Sequence, residues 1–315
     1  MLIFAFLVSY SISSLFALKL IPQSVFKYKF AFRSVKGLLS YSWSMPLAAF
    51  LTLAFYWADI WFVKYLYGDE KVGHYSLAFT IILMVMSIMV PISASIAPIV
   101  IDKTVSKKHS HIVPLIRKMA AILTLGAGLF PIFLLIGEQA AILLFPDSYR
   151  GSVSILLILS SAIFSQISIS LLGTVIYSQK HLISRMTVIL CVMVTTKIFL
   201  NFIMLEKFGI FGPAIATVAS YAFGMFLQWR LVKFYLGYRG APEYYFAILT
   251  ALFLALSYFF EQLGPYKIFL VLVFSLALIL FAKLSGQFSS LPLFLRKLIG
   301  KKLFNYLKQR NCFAG

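Results

Sequence analysis

The chain has 315 residues, of which 62% are hydrophobic and only 12% charged, and its mean hydropathy is +0.96. A soluble domain would be about a quarter charged, so composition excludes a soluble globular protein and defines an all-α integral membrane chain. The net charge of +19 would suggest nucleic acid as a partner of a soluble chain, but here the basic residues fall between apolar runs and read as topology signals, so no nucleic acid is expected.

Nine apolar runs long enough to span a bilayer, or nearly so, follow one another along the chain. The first is Leu2–Leu20, closed by Lys19 and Pro22; without a basic start or a small-residue cleavage site it reads as a retained span. The second, Leu38–Leu66, and the third, Val72–Ile101, are joined by a short charged turn at Asp69, Glu70 and Lys71. Pro91 and Pro98 each remove a backbone donor from the third, which makes them hinges for alternating access or simple structural kinks. The fourth is Met119–Ile136, followed by an amphipathic lip from Glu138 to Tyr149. The fifth to ninth are Val153–Tyr177, Leu182–Leu205, Phe211–Phe234, Tyr244–Phe260 and the short Ile268–Ala282. Residues 285–315 form a basic tail, with an interfacial helix expected from Leu291 to Leu307 whose Arg296, Lys297, Lys301 and Lys302 face anionic membrane lipid. The domain organisation is therefore 1–37 (first span and basic loop), 38–236 (a six-helix bundle), 237–284 (a further helix pair) and 285–315 (the tail).

Nine alternating spans divide the 28 lysines and arginines very unevenly. One set of connections, with the tail, holds 22 of them, the opposite set holds five (Lys64, Lys71, Arg150, Lys207 and Lys267), and Lys197 lies within a span. The positive-inside rule puts the first set in the cytoplasm, the N-terminus outside and the C-terminus inside. An outside N-terminus with an odd span count is unusual for a whole carrier, and no internal repeat is visible, which points to part of something longer.

Two ionisable residues lie deep within spans. Asp59, between Trp57 and Trp61, costs a few kcal/mol at that depth unless it faces a partner or a polar interior. Lys64 stands roughly 140° around the helix from it, so Asp59 is expected to look across to another helix or into a cavity. Lys197, with Asn201 one turn later on the same face, reads equally as a cationic spot lining a cavity for an anionic substrate and as a lysine that snorkels or pairs with Asp59 for structure. The fifth span carries a polar stripe of Ser161, Ser165, Ser168 and Gly173 with Gln166 beside it; ordinary helix–helix hydrogen bonding is favoured over substrate contact. Gly212, Ala216, Ser220 and Gly224 repeat every four residues and form a ridge for close helix packing.

No enzyme signature appears, and neither a cofactor nor a metal is expected. His74, His109, His111 and His181 lack metal-ligand spacing, phosphate loops and nucleophile elbows are absent, and Cys191 and Cys312 fall in different environments that suggest no disulfide.

Three motifs in order give the chain a family likeness. Met45–Pro46 opens a long span with Asp59 late in it, and the turn is followed by Val72-Gly73-His74-Tyr75-Ser76-Leu77-Ala78. Leu143-Leu144-Phe145-Pro146-Asp147-Ser148-Tyr149 precedes Ser154-Ile155-Leu156-Leu157-Ile158-Leu159. Asn201 leads to Phe208-Gly209-Ile210-Phe211-Gly212-Pro213-Ala214-Ile215-Ala216-Thr217. Across Tyr41–Leu236 the chain resembles the second half of the polysaccharide-biosynthesis (O-antigen type) flippases of the multidrug/oligosaccharidyl-lipid/polysaccharide exporter superfamily. That resemblance implies a two-bundle flippase fold of twelve to fourteen spans. Span one here is similar to the sixth of that fold, spans two to seven to its second bundle, and most of the first bundle lacks a counterpart.

The resemblance further implies a multi-pass protein of the bacterial inner membrane that flips undecaprenyl-diphosphate-linked oligosaccharide for surface polysaccharide. A polysaccharide polymerase and other assembly proteins would be its partners. Lys197 would face sugar or diphosphate acids and Asp59 would titrate in ion coupling, with Asn201, Gln166 and Ser165 as further cavity candidates. The chain departs from the family in offering a single deep cation. Two other readings stay open: a cation-coupled multidrug exporter using Asp59, and a non-transporting scaffold subunit of polysaccharide assembly.

Overall fold

The structure, a computed structural model, describes residues 43–87, 136–140, 142–143, 145–236 and 242–259, with isolated positions at 91, 97–98 and 269. The chain divides into two units at Trp43/Ser44, and the architecture below is that of the second. Among the described residues the fold is entirely helical: α1 (Ser44–Ser87), a 3-10 turn (Asp147–Tyr149), α2 (Gly151–Tyr177), α3 (Lys180–Phe208), a second 3-10 turn (Gly209–Phe211), α4 (Gly212–Leu236) and α5 (Pro242–Phe259). Three stretches, Ser44–Ser87, Gly151–Tyr177 and Leu182–Tyr235, are long and apolar enough to cross a membrane.

The first and last of these stretches are each folded in two. In α1 the break falls at Gly68, whose φ of 77° and ψ of −177° only glycine adopts without strain. The two arms then run back along each other, so that Tyr75 reaches Asp59 and the Tyr56 and Phe79 rings lie 6.0 Å apart. The reversal comes one residue earlier than the charged triplet suggested: Asp69, Glu70 and Lys71 are helical, in the first turn of the returning arm. A glycine can reverse the chain in a single residue, so no separate charged loop is needed. Lys64 pairs with Asp69 across the bend at 3.3 Å, exposed on both sides.

Between α3 and α4 the reversal uses Gly209, with φ 57°. Gly212 then packs so closely that an added Cβ would stand 2.5 Å from the Met204 carbonyl oxygen. Further along the ridge, a Cβ at Gly224 would collide with the Met193 side chain from Cγ outward, and Ala216 and Ser220 are buried. The four small residues thus serve as the seam along which α4 lies against α3. Pro46 falls in the first turn of α1, where the missing N–H has no intrahelical acceptor to satisfy.

α2 is the centre of the bundle. Its apolar side chains are buried around nearly the whole circumference, against α1, α4 and α5, as befits a helix with no polar face. The polar stripe on it is consumed by neighbours. Ser161 bonds Ser257 at 2.9 Å, Ser165 bonds Thr250 at 3.1 Å, and Trp229 Nε1 donates to Ser168 at 3.0 Å. The first arm of α1 has instead one buried stripe, Phe55, Asp59 and Val63, and an opposite stripe of exposed Trp57, Trp61 and Tyr65. Both recur every four residues, as one helix face requires.

These contacts sort the chain reversals onto two ends. His74 packs beside Gly151 and bonds Ser152 at 3.3 Å, while Tyr67 lies beside Gly209. At the other end Thr187, near the start of α3, bonds the Ser44 carbonyl at 3.5 Å. The returning arm of α1 and α2 therefore both run away from the Gly68 end, α3 runs back toward it and α4 away again. Spans one, four and nine and the basic tail lie outside the described residues; Pro91 and Pro98 are exposed helical positions whose neighbours also lie largely outside.

Candidate functional site

The buried polar centre is built from two helical hairpins, the two arms of α1 and the α3–α4 pair. Asp59 on the first arm of α1 and Lys197 on α3 are both fully buried, and Lys197 Nζ stands 2.9 Å from Asp59 Oδ2. The same oxygen accepts from Tyr75 of the returning arm at 2.6 Å and from Thr217 of α4 at 2.6 Å. Oδ1 accepts from Asn201 Nδ2 at 3.0 Å. Lys197 also donates to the Phe55 carbonyl, and its ammonium lies 3.9 Å from the centroid of the Phe55 ring. The returning arm of α1, α3 and α4 each thus offer it a donor. A carboxylate in an apolar bundle is tolerable when so supplied, because charge-assisted hydrogen bonds and an opposite charge replace its lost hydration.

The sequence placed Lys197 and Asn201 on one face and expected Asp59 to look across to another helix; the structure joins all three. Of the two readings of Lys197, the geometry realises the paired one. The two ends of the contact are separated by 138 residues of chain, so no spacing rule could have joined them. Sequence reasoning missed Tyr75 and Thr217. Tyr75 could have been found from the hairpin: seven residues past Gly68, it stands at a level similar to Asp59, nine residues before it. Thr217 carried no signal beyond its place beside Ala216 in the small-residue ridge.

Next to this centre lies a cleft of about 340 Å³, bounded by the first arm of α1, the last half of α2, α3 and Tyr221 of α4. Gln166 lines it, as do Tyr56, Ser170, Thr174 and Tyr177. A second cleft of about 300 Å³ adjoins it toward the start of α1, sharing Thr52, Tyr177 and Leu190 and lined also by Ser44 and Thr187. Among the described residues lining either cleft there is no carboxylate, ammonium, guanidinium or imidazole. Phe55 and Tyr221, whose rings are 4.8 Å apart, stand between the larger cleft and the ion pair.

The candidate residues therefore separate into three places. Asp59, Lys197 and Asn201 form the closed polar centre, Gln166 faces the cleft, and Ser165 is engaged with Thr250 between α2 and α5. Among the described residues no cluster of His, Cys, Asp or Glu could hold a metal ion. Cys191 is a free thiol on the exposed face of α3. No family model, curated protein or solved structure matches the chain.

Proposed function

We propose that this chain is a membrane carrier for lipid-linked oligosaccharide, its described helices forming the second bundle of a flippase-like fold. On this reading nine helices cross the bacterial inner membrane with the N-terminus outside, and the substrate is an undecaprenyl-diphosphate-linked sugar moved outward for surface polysaccharide. Three ordered motifs resembling those of the flippase family support it, and so do the two helical hairpins reversed at Gly68 and Gly209. The observation that carries most weight is the pair of adjoining clefts inside a bundle of membrane-length helices. A scaffold subunit has no need of such a space.

The Asp59 geometry bears on the multidrug-exporter alternative. A coupling carboxylate must give up its partners to take a proton or a cation, and Asp59 already holds an ammonium and three neutral donors. Substrate translocation therefore draws on the clefts, and the ion pair fastens α1, α3 and α4 around them.

The test is genetic and chemical. Deleting the gene in its own host is expected to lower surface polysaccharide and to leave lipid-linked oligosaccharide accumulating at the cytoplasmic face. Restoring the full chain should reverse both. Unchanged surface polysaccharide after deletion would reject the carrier reading.

A further inference from the structure

The two clefts are not simply greasy. Gln166 Oε1 is buried against the larger cleft with no hydrogen-bond partner, and the Ser44 hydroxyl, on a residue only 1% exposed, is likewise unpartnered where it lines the smaller. A buried amide oxygen or hydroxyl left unpaired costs about 1–3 kcal/mol, so such atoms in a cavity wall mark where a polar ligand would be received. Around them stand the aromatic side chains Tyr56, Tyr177 and Tyr221. The volume of about 340 Å³ falls at the lower end of the range for small-ligand sites, roughly 300–1,000 Å³.

Three ligand chemistries compete for such a space. A phosphate or diphosphate would have to leave water for walls whose described residues offer it no cation, since Lys197 is committed to Asp59 behind Phe55. An alkyl chain would cover the unpaired Gln166 and Ser44 oxygens without satisfying them. A neutral ring carrying several hydroxyl groups donates to both and lays its apolar C–H face on tyrosine rings.

We propose that the paired cleft binds the uncharged sugar of a glycolipid, with Gln166 as its specificity-determining residue. The identity of the ligand rests on the carrier reading above; the chemistry rests on the cleft alone. By the charge asymmetry of the chain this is the cytoplasmic half of the bundle, where Ser44 and the α2–α3 connection lie, so the sugar would be met on entry.

The test reads the cleft itself. Leu190, which lines both cavities, is replaced by cysteine in a full-length Cys191→Ser/Cys312→Ser background, and the rate of N-ethylmaleimide labelling is followed in phosphatidylcholine nanodiscs. Octyl glucoside, octyl phosphate and octanol are compared as protecting ligands, since they share a tail and differ in head group. Octyl glucoside is expected to slow labelling at concentrations about tenfold lower than either of the others. Gln166→Leu should raise its half-protecting concentration about tenfold, the worth of one hydrogen bond to a buried group. Gln166→Glu, which keeps an acceptor of the same size, should stay within about threefold of the parent. The proposal is overturned if octyl phosphate or octanol protects as well as the glucoside, or if Gln166→Leu leaves glucoside protection unchanged in a protein that still unfolds like its parent. Surface polysaccharide in the deletion strain is a separate readout. Its failure to fall would remove the carrier reading while leaving a sugar-selective cleft in place, and a carrier indifferent to Gln166→Leu would do the reverse.

Discussion

Replacing Asp59 by asparagine strands the Lys197 ammonium inside the bundle with only the Phe55 carbonyl, its ring and an amide for company. Breaking a buried pair from one side costs about 3–5 kcal/mol, and this case should lie at the upper end. The reason is local: Asp59 Oδ2 accepts from both Tyr75 and Thr217 and Oδ1 from Asn201, and an asparagine side chain has one acceptor oxygen for those three donors. Lys197→Met leaves a carboxylate that keeps all three neutral donors, so it should cost less, about 3 kcal/mol. The double variant Asp59→Asn/Lys197→Met carries no charge at all. Its cost should fall to the loss of neutral hydrogen bonds, about 1–2 kcal/mol, close to what such bonds contribute inside membranes. Unfolding the purified full chain in mixed micelles with increasing sodium dodecyl sulfate, followed by circular dichroism, measures all three. The double-mutant cycle should show a coupling of at least about 3 kcal/mol. Additivity of the two single costs within about 0.5 kcal/mol would show that the ion pair does not exist in the folded protein, and a costlier Lys197→Met would show that the three neutral donors do not hold the carboxylate.

Three further outcomes follow from the backbone and the topology. Gly212→Ala should destabilise by about 1–3 kcal/mol because its Cβ meets the fixed backbone of Met204 and Leu205, whereas Gly224→Ala meets only the Met193 side chain from Cγ outward and should cost less, because a side chain can change rotamer where a backbone cannot; the same unfolding assay ranks them. Gly68→Ala finds open space but an unfavourable φ of +77°, so it should cost about 1–3 kcal/mol from backbone strain alone; a loss smaller than about 0.5 kcal/mol would mean that the hairpin turns elsewhere. In a background without other cysteines, Asp69→Cys should be labelled in intact cells by a membrane-impermeant maleimide and Ser178→Cys only after lysis; the opposite pattern would invert the orientation.

How much of this was legible without coordinates differs from residue to residue. Composition and run length pointed to helices apolar enough for a bilayer, where a backbone with no water to bond must satisfy itself within each helix, and the described residues are helical with three stretches of that kind. Helices α2 to α5 begin and end within a few residues of the apolar runs read from the sequence, and the fourfold ridge of α4 packs as its spacing indicated. Such features depend on neighbours three or four residues away, which a sequence displays directly. The tertiary structure alone decided which long-range partners meet. It decided that Lys197 meets Asp59 and is closed off from the clefts, that Ser165 is used by Thr250 while Gln166 one residue later lines a cleft, and that Tyr75 and Thr217 complete the carboxylate's set of donors. A step of one residue turns a helical side chain by about 100°, so the same stripe can serve packing on one edge and a cavity on the other, and only the neighbouring helices determine which.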